Sequence, residues 1–248
     1  MMEGVIRVPL GAIRSAPSDR AEMVTQALFG ERVQMSAIEG QANWCAVVLH
    51  RDGYEGYIDP KLVDVSEDAV DAFKAACHKL PVPLTAIEWG DRHLHLPAGS
   101  HVPKAAMPEY TPNGPSGIVD TALQFLGAPY LWGGKSILGI DCSGLTQLTG
   151  QLCGISIARD ASQQWAQSLQ KRPGFTELKE GDLVFFHKED SNAVTHVGVA
   201  THAIQDHWQV IHASGEVRVD PLTPNGIVRE GHLTHLWTGA SGWPVNAE

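Results

Sequence analysis

The sequence predicts a small all-β barrel followed by an α+β domain, and three observations predict it. Residues 1–64 carry short apolar stretches separated by turn residues, with no helical period. Beyond residue 116 helical patterns come first and consecutive strands follow, the order of an α+β domain. The length of 248 residues exceeds one ordinary core of roughly 100–150 residues, so a smaller companion is expected beside the main domain.

Composition excludes several classes. With 43% hydrophobic and 19% charged residues the chain is neither disordered nor fibrous. Its 18 Lys and Arg against 28 Asp and Glu give a net charge of −10, which argues against a nucleic-acid partner, because phosphate binding needs clustered cations. No apolar run approaches the roughly 20 residues that span a bilayer, so no membrane partner is expected. The N-terminal MMEGVIRVPLGAIRSAPS lacks a basic segment followed by an apolar one, which predicts a cytoplasmic protein. Its four cysteines are then expected to be free, and no metal-ligand spacing surrounds them, so neither metal nor cofactor is expected. No oligomeric state is read from the sequence.

Within the first 64 residues Val5-Ile6-Arg7-Val8, Thr25 to Phe29, Arg32 to Met35, Trp44 to Leu49 and Tyr57-Ile58 are the strand candidates. Pro17-Ser18-Asp19, Phe29-Gly30-Glu31 and Arg51-Asp52-Gly53 supply the turns. Residues 65–115 read as a Pro-rich connector or a degenerate second barrel. Ser66 to Leu80 is a candidate helix with Ser66 as N-cap. Seven of the fifteen prolines then fall between Pro81 and Pro115, which favours short strands such as Leu84 to Trp89 and His93 to Leu96.

The second part is residues 116–248. Ser116 to Leu126 has helical apolar spacing and stops at Gly127. Asp141 is a favourable N-cap, which puts Cys142 in the first turn of a helix ending at Gly154, and Asp160 caps a further helix to about Ser168. Strands are expected at Leu183 to Phe186, Thr195 to Thr201, Trp208 to Ala213 and Val217 to Val219.

A thiol becomes a nucleophile when its thiolate is stabilised, and a helix N-terminus offers partial positive charge and free N–H groups, so Cys142 is expected to have a lowered pKa. It also needs a histidine within reach and a third group that orients that histidine. Alternation puts His196, Gly198 and Ala200 on one strand face and Val197 and Val199 on the other; on the next strand His212 shares a face with Val210. A reversal centred on Ile204 would pair His196 directly with His212, at a Cβ separation of about 4.5–5.5 Å. Cys45, Cys77 and Cys153 read as packing residues, and the ten remaining histidines, His93 and His95 among them, as solvated.

Six strings then stand in a telling order: YLWGG, DCSG, ARDASQQ, GDLVFF, THVGVA and VIHASG. They resemble the NlpC-type cysteine peptidases, papain-like enzymes that cut peptidoglycan peptides. AIRSAPS, LFGERV, NWCAVVL and DGYEGYI resemble bacterial SH3-like domains in the same way. The resemblance implies a papain-like α+β cysteine peptidase domain preceded by an SH3-like barrel, with Cys142 as nucleophile, His196 as general base and His212 orienting it. It implies that Tyr130 assists the oxyanion. The two-domain subgroup is similar to γ-D-glutamyl-diamino-acid endopeptidases that need a free L-Ala amine. There Asp160 would bind the amine, Tyr54 would close the same end of the site, and the partners would be short peptidoglycan peptides met during cell-wall recycling. An exported hydrolase of polymeric wall and a non-catalytic muropeptide sensor remain open as alternatives.

Overall fold

The computed structural model describes residues 2–107, 117–202 and 207–244. Two units divide the chain: residues up to Gly114 with the segment Trp132–Ile137, and the remainder.

In the first unit seven strands form one antiparallel sheet: β1 (Met2–Ile6), β2 (Leu10–Arg14), β3 (Met23–Leu28), β4 (Arg32–Ile38), β5 (Gln41–Leu49), β6 (Glu55–Ile58) and β7 (Val63–Asp64), in the order β3-β2-β6-β5-β4-β1-β7. Alternate side chains, among them Ile6, Ile13, Val33, Met35, Val47, Leu49 and Ile58, fill its interior. β2 is absent from the expected strands because its glycine and flanking Pro9 mask the alternation that buries Ile13.

Residues 65–107 hold α1 (Glu67–Lys74) and two hairpin-like ladders, β8 (Cys77–Lys79) with β11 (His101–Pro103) and β9 (Leu84–Trp89) with β10 (Arg92–Pro97). The helix ends six residues short of Leu80, since Ala75 turns extended and the chain enters β8. A second small core of Leu80, Ile87, Leu94, Leu96 and Val102 takes in Phe29 from the first sheet, whose ring packs edge-on against Phe73 and Trp89 at 5.7 and 5.3 Å. Gly30 makes that seating possible: its φ is +78°, and a Cβ there would lie 2.3 Å from the His101 carbonyl oxygen. The two-residue strand β12 (Lys135–Ser136) also belongs to this unit, with the Lys135 N–H donating to Gln26 Oε1 at 2.9 Å.

The second unit contains α2 (Ile118–Leu123), the short strand β13 (Gly139–Ile140), α3 (Cys142–Leu152) and α4 (Ala161–Gln167). Six strands follow: β14 (Leu183–Lys188), β15 (Ser191–Thr201), β16 (Gln209–Ser214), β17 (Glu216–Thr223), β18 (Gly226–Arg229) and β19 (His232–Ser241). They close into a barrel in chain order. The expected start of the first helix, Ser116, and the reversal centre, Ile204, lie outside the described residues. β18 and β19 extend the expected strand set, and β19 pairs back onto β14 to complete the barrel. β14, β15 and β16 are largely buried, and their alternate residues divide between two clusters. Val184, Phe186, Ala200, Val210 and Ile227 cluster together, while Leu183, Phe185 and Val197 pack with Cys142, Ile157 and Ala161 from the helical layer. All of α3 from Cys142 to Gln151 is buried, as expected of a helix covered on every side.

Candidate active site

The nucleophile position is built around the start of α3. Asp141 caps the helix, its Oδ1 accepting the Gly144 N–H at 2.6 Å. Arg159, only 1% exposed, grips that carboxylate with two prongs, Nη1 to Oδ1 at 3.0 Å and Nη2 to Oδ2 at 2.7 Å, and Nη1 also donates to Ser143 Oγ at 2.8 Å. Cys142 is thereby fixed as the first helical residue, 7% exposed. The backbone N–H groups of Val197 and Ser143 donate to its sulfur. Burial and the adjacent Asp141 carboxylate push the thiol up to about 12, against the lowered value expected from the helix terminus. Desolvation and a negative neighbour outweigh the partial charge of the helix, so the resting group is a protonated thiol that needs a base.

The candidate base lies on β15. His196 immediately precedes Val197, whose N–H meets the sulfur, and its Nε2 lies 2.8 Å from His212 Nδ1 on β16. The ladder differs from the expected register. Val199 pairs with Ile211 and Ala200 with Val210, a slip of two residues that sets His212 across from Gly198. A slip of two preserves the face, so the rings still meet, diagonally and edge-on at 5.0 Å between centroids. Gly198 provides the space, because a Cβ there would lie 3.0 Å from His212 Cβ and 2.5 Å from Val210. Burial, then the neighbouring His212 and His235, hold His196 well below the usual imidazole range, so the ring is neutral.

Three further residues complete the cluster, and the sequence reading passed over all of them. Asp220 on β17 accepts from His212 Nε2 at 3.0 Å, and Arg218 on the same strand binds both oxygens of that carboxylate at 2.7 and 2.8 Å. His235 on β19, counted among the solvated histidines, instead stacks on His196 with centroids 4.2 Å apart and planes 28° apart. The Arg-Val-Asp alternation just after the Ser214-Gly215 turn was the available signal for Arg218 and Asp220. His235 had none, since it reaches the site only through barrel closure.

With this geometry, residues 127–234 match the NlpC/P60 family and residues 13–61 the bacterial dipeptidyl-peptidase SH3 domain. A gamma-D-glutamyl-L-lysine dipeptidyl-peptidase of Bacillus subtilis (strain 168) is 31% identical over 205 residues, covering 71% of this chain and 68% of that protein. The chain belongs to the NlpC/P60 family. It is a cysteine peptidase of that family with an N-terminal SH3-like domain. A Bacillus cereus protein of the same name is 25% identical over 252 residues, covering 84% of this chain and 73% of that one. The fold agrees with the crystal structure of an NlpC/P60 family protein from Bacillus cereus, at a TM-score of 0.77 over 97% of this chain and 99% of the other, with 20% identity.

The remaining positions suggested by resemblance to NlpC/P60 peptidases lie as follows. The Tyr130 backbone N–H donates to the Gly215 carbonyl at 2.9 Å and the residue bridges to Ile140, one step before Asp141. Burial and the nearby Cys142 and Asp141 raise its phenol to about 12, so it stays a donor. Asp160 is the half-buried N-cap of α4, its N–H donating to Gln163 Oε1 at 3.2 Å, and it directly follows the Arg159 clamp. Tyr54 belongs to the first unit, where it packs against the core of the seven-stranded sheet. Cys45, Cys77 and Cys153 are free thiols. Among the described residues no set of three or more His, Cys, Asp or Glu is arranged to hold a metal ion, and no helix is long and apolar enough to cross a membrane.

Proposed function

We propose that the protein hydrolyses the bond between γ-D-Glu and the diamino acid in short peptidoglycan peptides that begin with a free L-Ala amine. The observation that carries the reaction is the hydrogen-bonded His196–His212 pair on the strand whose next N–H meets Cys142. The names of the two Bacillus relatives support the choice of bond. The net charge of −10 favours soluble fragments over an anionic wall polymer, in keeping with cytoplasmic recycling.

His196 Nε2 is engaged by His212, which leaves Nδ1 to take the thiol proton as Sγ attacks the amide carbonyl. The carbon–nitrogen bond breaks when the imidazolium returns that proton to the departing amine, leaving a thioester. His196 then deprotonates a water that attacks the thioester, releasing the carboxylate and restoring the thiol. The Tyr130 hydroxyl, with backbone N–H groups near Cys142, steadies the oxyanion. Asp160, the residue after Arg159, receives the substrate ammonium.

The test compares L-Ala-γ-D-Glu-diaminopimelate and its L-Lys counterpart with their N-acetylated forms. Free-amine peptides are expected to be cleaved at least about 100-fold faster in kcat/KM, because the capped substrate has no ammonium to pair with the Asp160 carboxylate. Equal rates would overturn the amine requirement, and release of fragments from intact sacculi would overturn the preference for short peptides.

A further inference from the structure

The proposed reaction needs His196 neutral, with its bare lone pair on Nδ1. Neither histidine can decide that alone, because two touching neutral imidazoles can run their hydrogen bond in either direction. Asp220 breaks the symmetry. Its carboxylate is 4% exposed, accepts from Arg218 through both oxygens and lies 3.0 Å from His212 Nε2. The geometry points to Asp220, locked by Arg218, as the positioning residue that fixes the tautomers of both histidines. The inference rests on the reading of Cys142 as nucleophile and His196 as base.

An ionised carboxylate only accepts, so the ring hydrogen of His212 sits on Nε2. Neutral His212 then presents a bare Nδ1, and the 2.8 Å contact requires His196 Nε2 to be the donor. His196 is left with a bare Nδ1. The ladder supplies this arrangement: His212 pairs with Arg218 and Val210 with Asp220, so Arg218 and Asp220 share the face of His212 and Asp220 reaches it diagonally. The Arg218 fork occupies one edge of the carboxylate and prevents it from turning away. When His196 gains a proton, Nε2–H continues to donate to His212, and the charge of Asp220 at the end of the chain offsets the imidazolium. Burial opposes ionisation of Asp220, but its bonds to His212 and Arg218 outweigh that and hold it at about 2, so it stays charged at working pH. Among the described residues, Arg229 from β18 and His235 from β19 also act on the pair, and Lys188 from β14 acts on His235.

Asp220→Asn tests the assignment. An amide has one accepting oxygen, which Arg218 claims, so its NH2 turns to His212 and reverses both tautomers. We expect kcat to fall about 100- to 10,000-fold with KM within a few-fold. Alkylation of Cys142 by iodoacetamide, followed at that residue by mass spectrometry, should slow in parallel at neutral pH and recover as pH rises. Wild-type kcat together with a wild-type alkylation profile would overturn the role. Nitrogen-15 imidazole spectra of the unmodified protein ask the same question should the variant not fold. Protons on Nε2 of both His212 and His196 are expected, and protons on Nδ1 would overturn the inference. Alkylation and tautomer spectra need no peptide, so a failed substrate assignment would leave these outcomes readable on their own.

Discussion

Two carboxylate–guanidinium forks flank the chemistry, and their difference separates structure from mechanism. Arg159 and Asp141 stand on the thiol side, Arg218 and Asp220 on the base side, each joined by two short bonds. Asp141 spends its remaining capacity on Gly144 N–H and Ser143 Oγ, and so defines where α3 begins. Asp220 gives one oxygen to a ring nitrogen that leads to His196. Arg159 is 1% exposed and Arg218 24%, which ranks what removal of each should cost. A dry fork tied to backbone holds the fold; a partly wet fork tied to an imidazole directs protons.

The sharpest way to break this comparison is to remove each arginine. Arg159→Ala leaves the buried Asp141 carboxylate without its cation, and denaturant unfolding should show a loss of about 3–5 kcal/mol. Arg218→Ala, with water able to reach Asp220, should cost only about 1–2 kcal/mol. Equal losses would mean that the two forks play the same part. Gly198→Ala comes next in size. The new Cβ would lie 2.5 Å from Val210 and 2.8 Å from the Ile211 carbonyl oxygen, so overpacking should cost about 1–3 kcal/mol and lower kcat by parting the two rings.

The smallest effect is a pH dependence confined to the base side. Burial is the main cause that lowers His196, His212 and His235 from the ordinary 6.5, His235 to about 4. The unfolded chain therefore takes up protons first as pH falls. Stability from these rings is complete above about pH 6.5 and is lost progressively toward pH 4. Asp220, lowered to about 2, keeps its contribution until pH drops below its ordinary 3.8. Cys142 and Tyr130, both near 12, do not titrate in that range. Tm should fall between pH 7 and 4.5 in the wild type. His235→Phe, which keeps a ring against His196, should fall less; identical slopes would remove His235 from the account.

Much of this site could be read along the chain because its signals are local. An Asp followed by Cys at a helix start, and alternation that puts His196 and His212 on inward faces, depend on residues within one element. The two-residue slip left that conclusion intact because strand faces repeat every second residue. The thiol pKa went the other way from expectation because burial is a property of the whole packed domain. Asp220 was one hairpin away from legibility.

The sequence by itself determined the kinds of element, the place of Cys142 at a helix start and that of His196 on an inward strand face, since caps, turns and periodicity are short-range constraints. Only the tertiary structure decided the protonated resting thiol, the ladder that sets Gly198 across from His212, the clamp of Arg159 on Asp141, and the approach of Arg218, Asp220 and His235. Those depend on barrel closure and on the removal of water from charges, which no window of sequence contains.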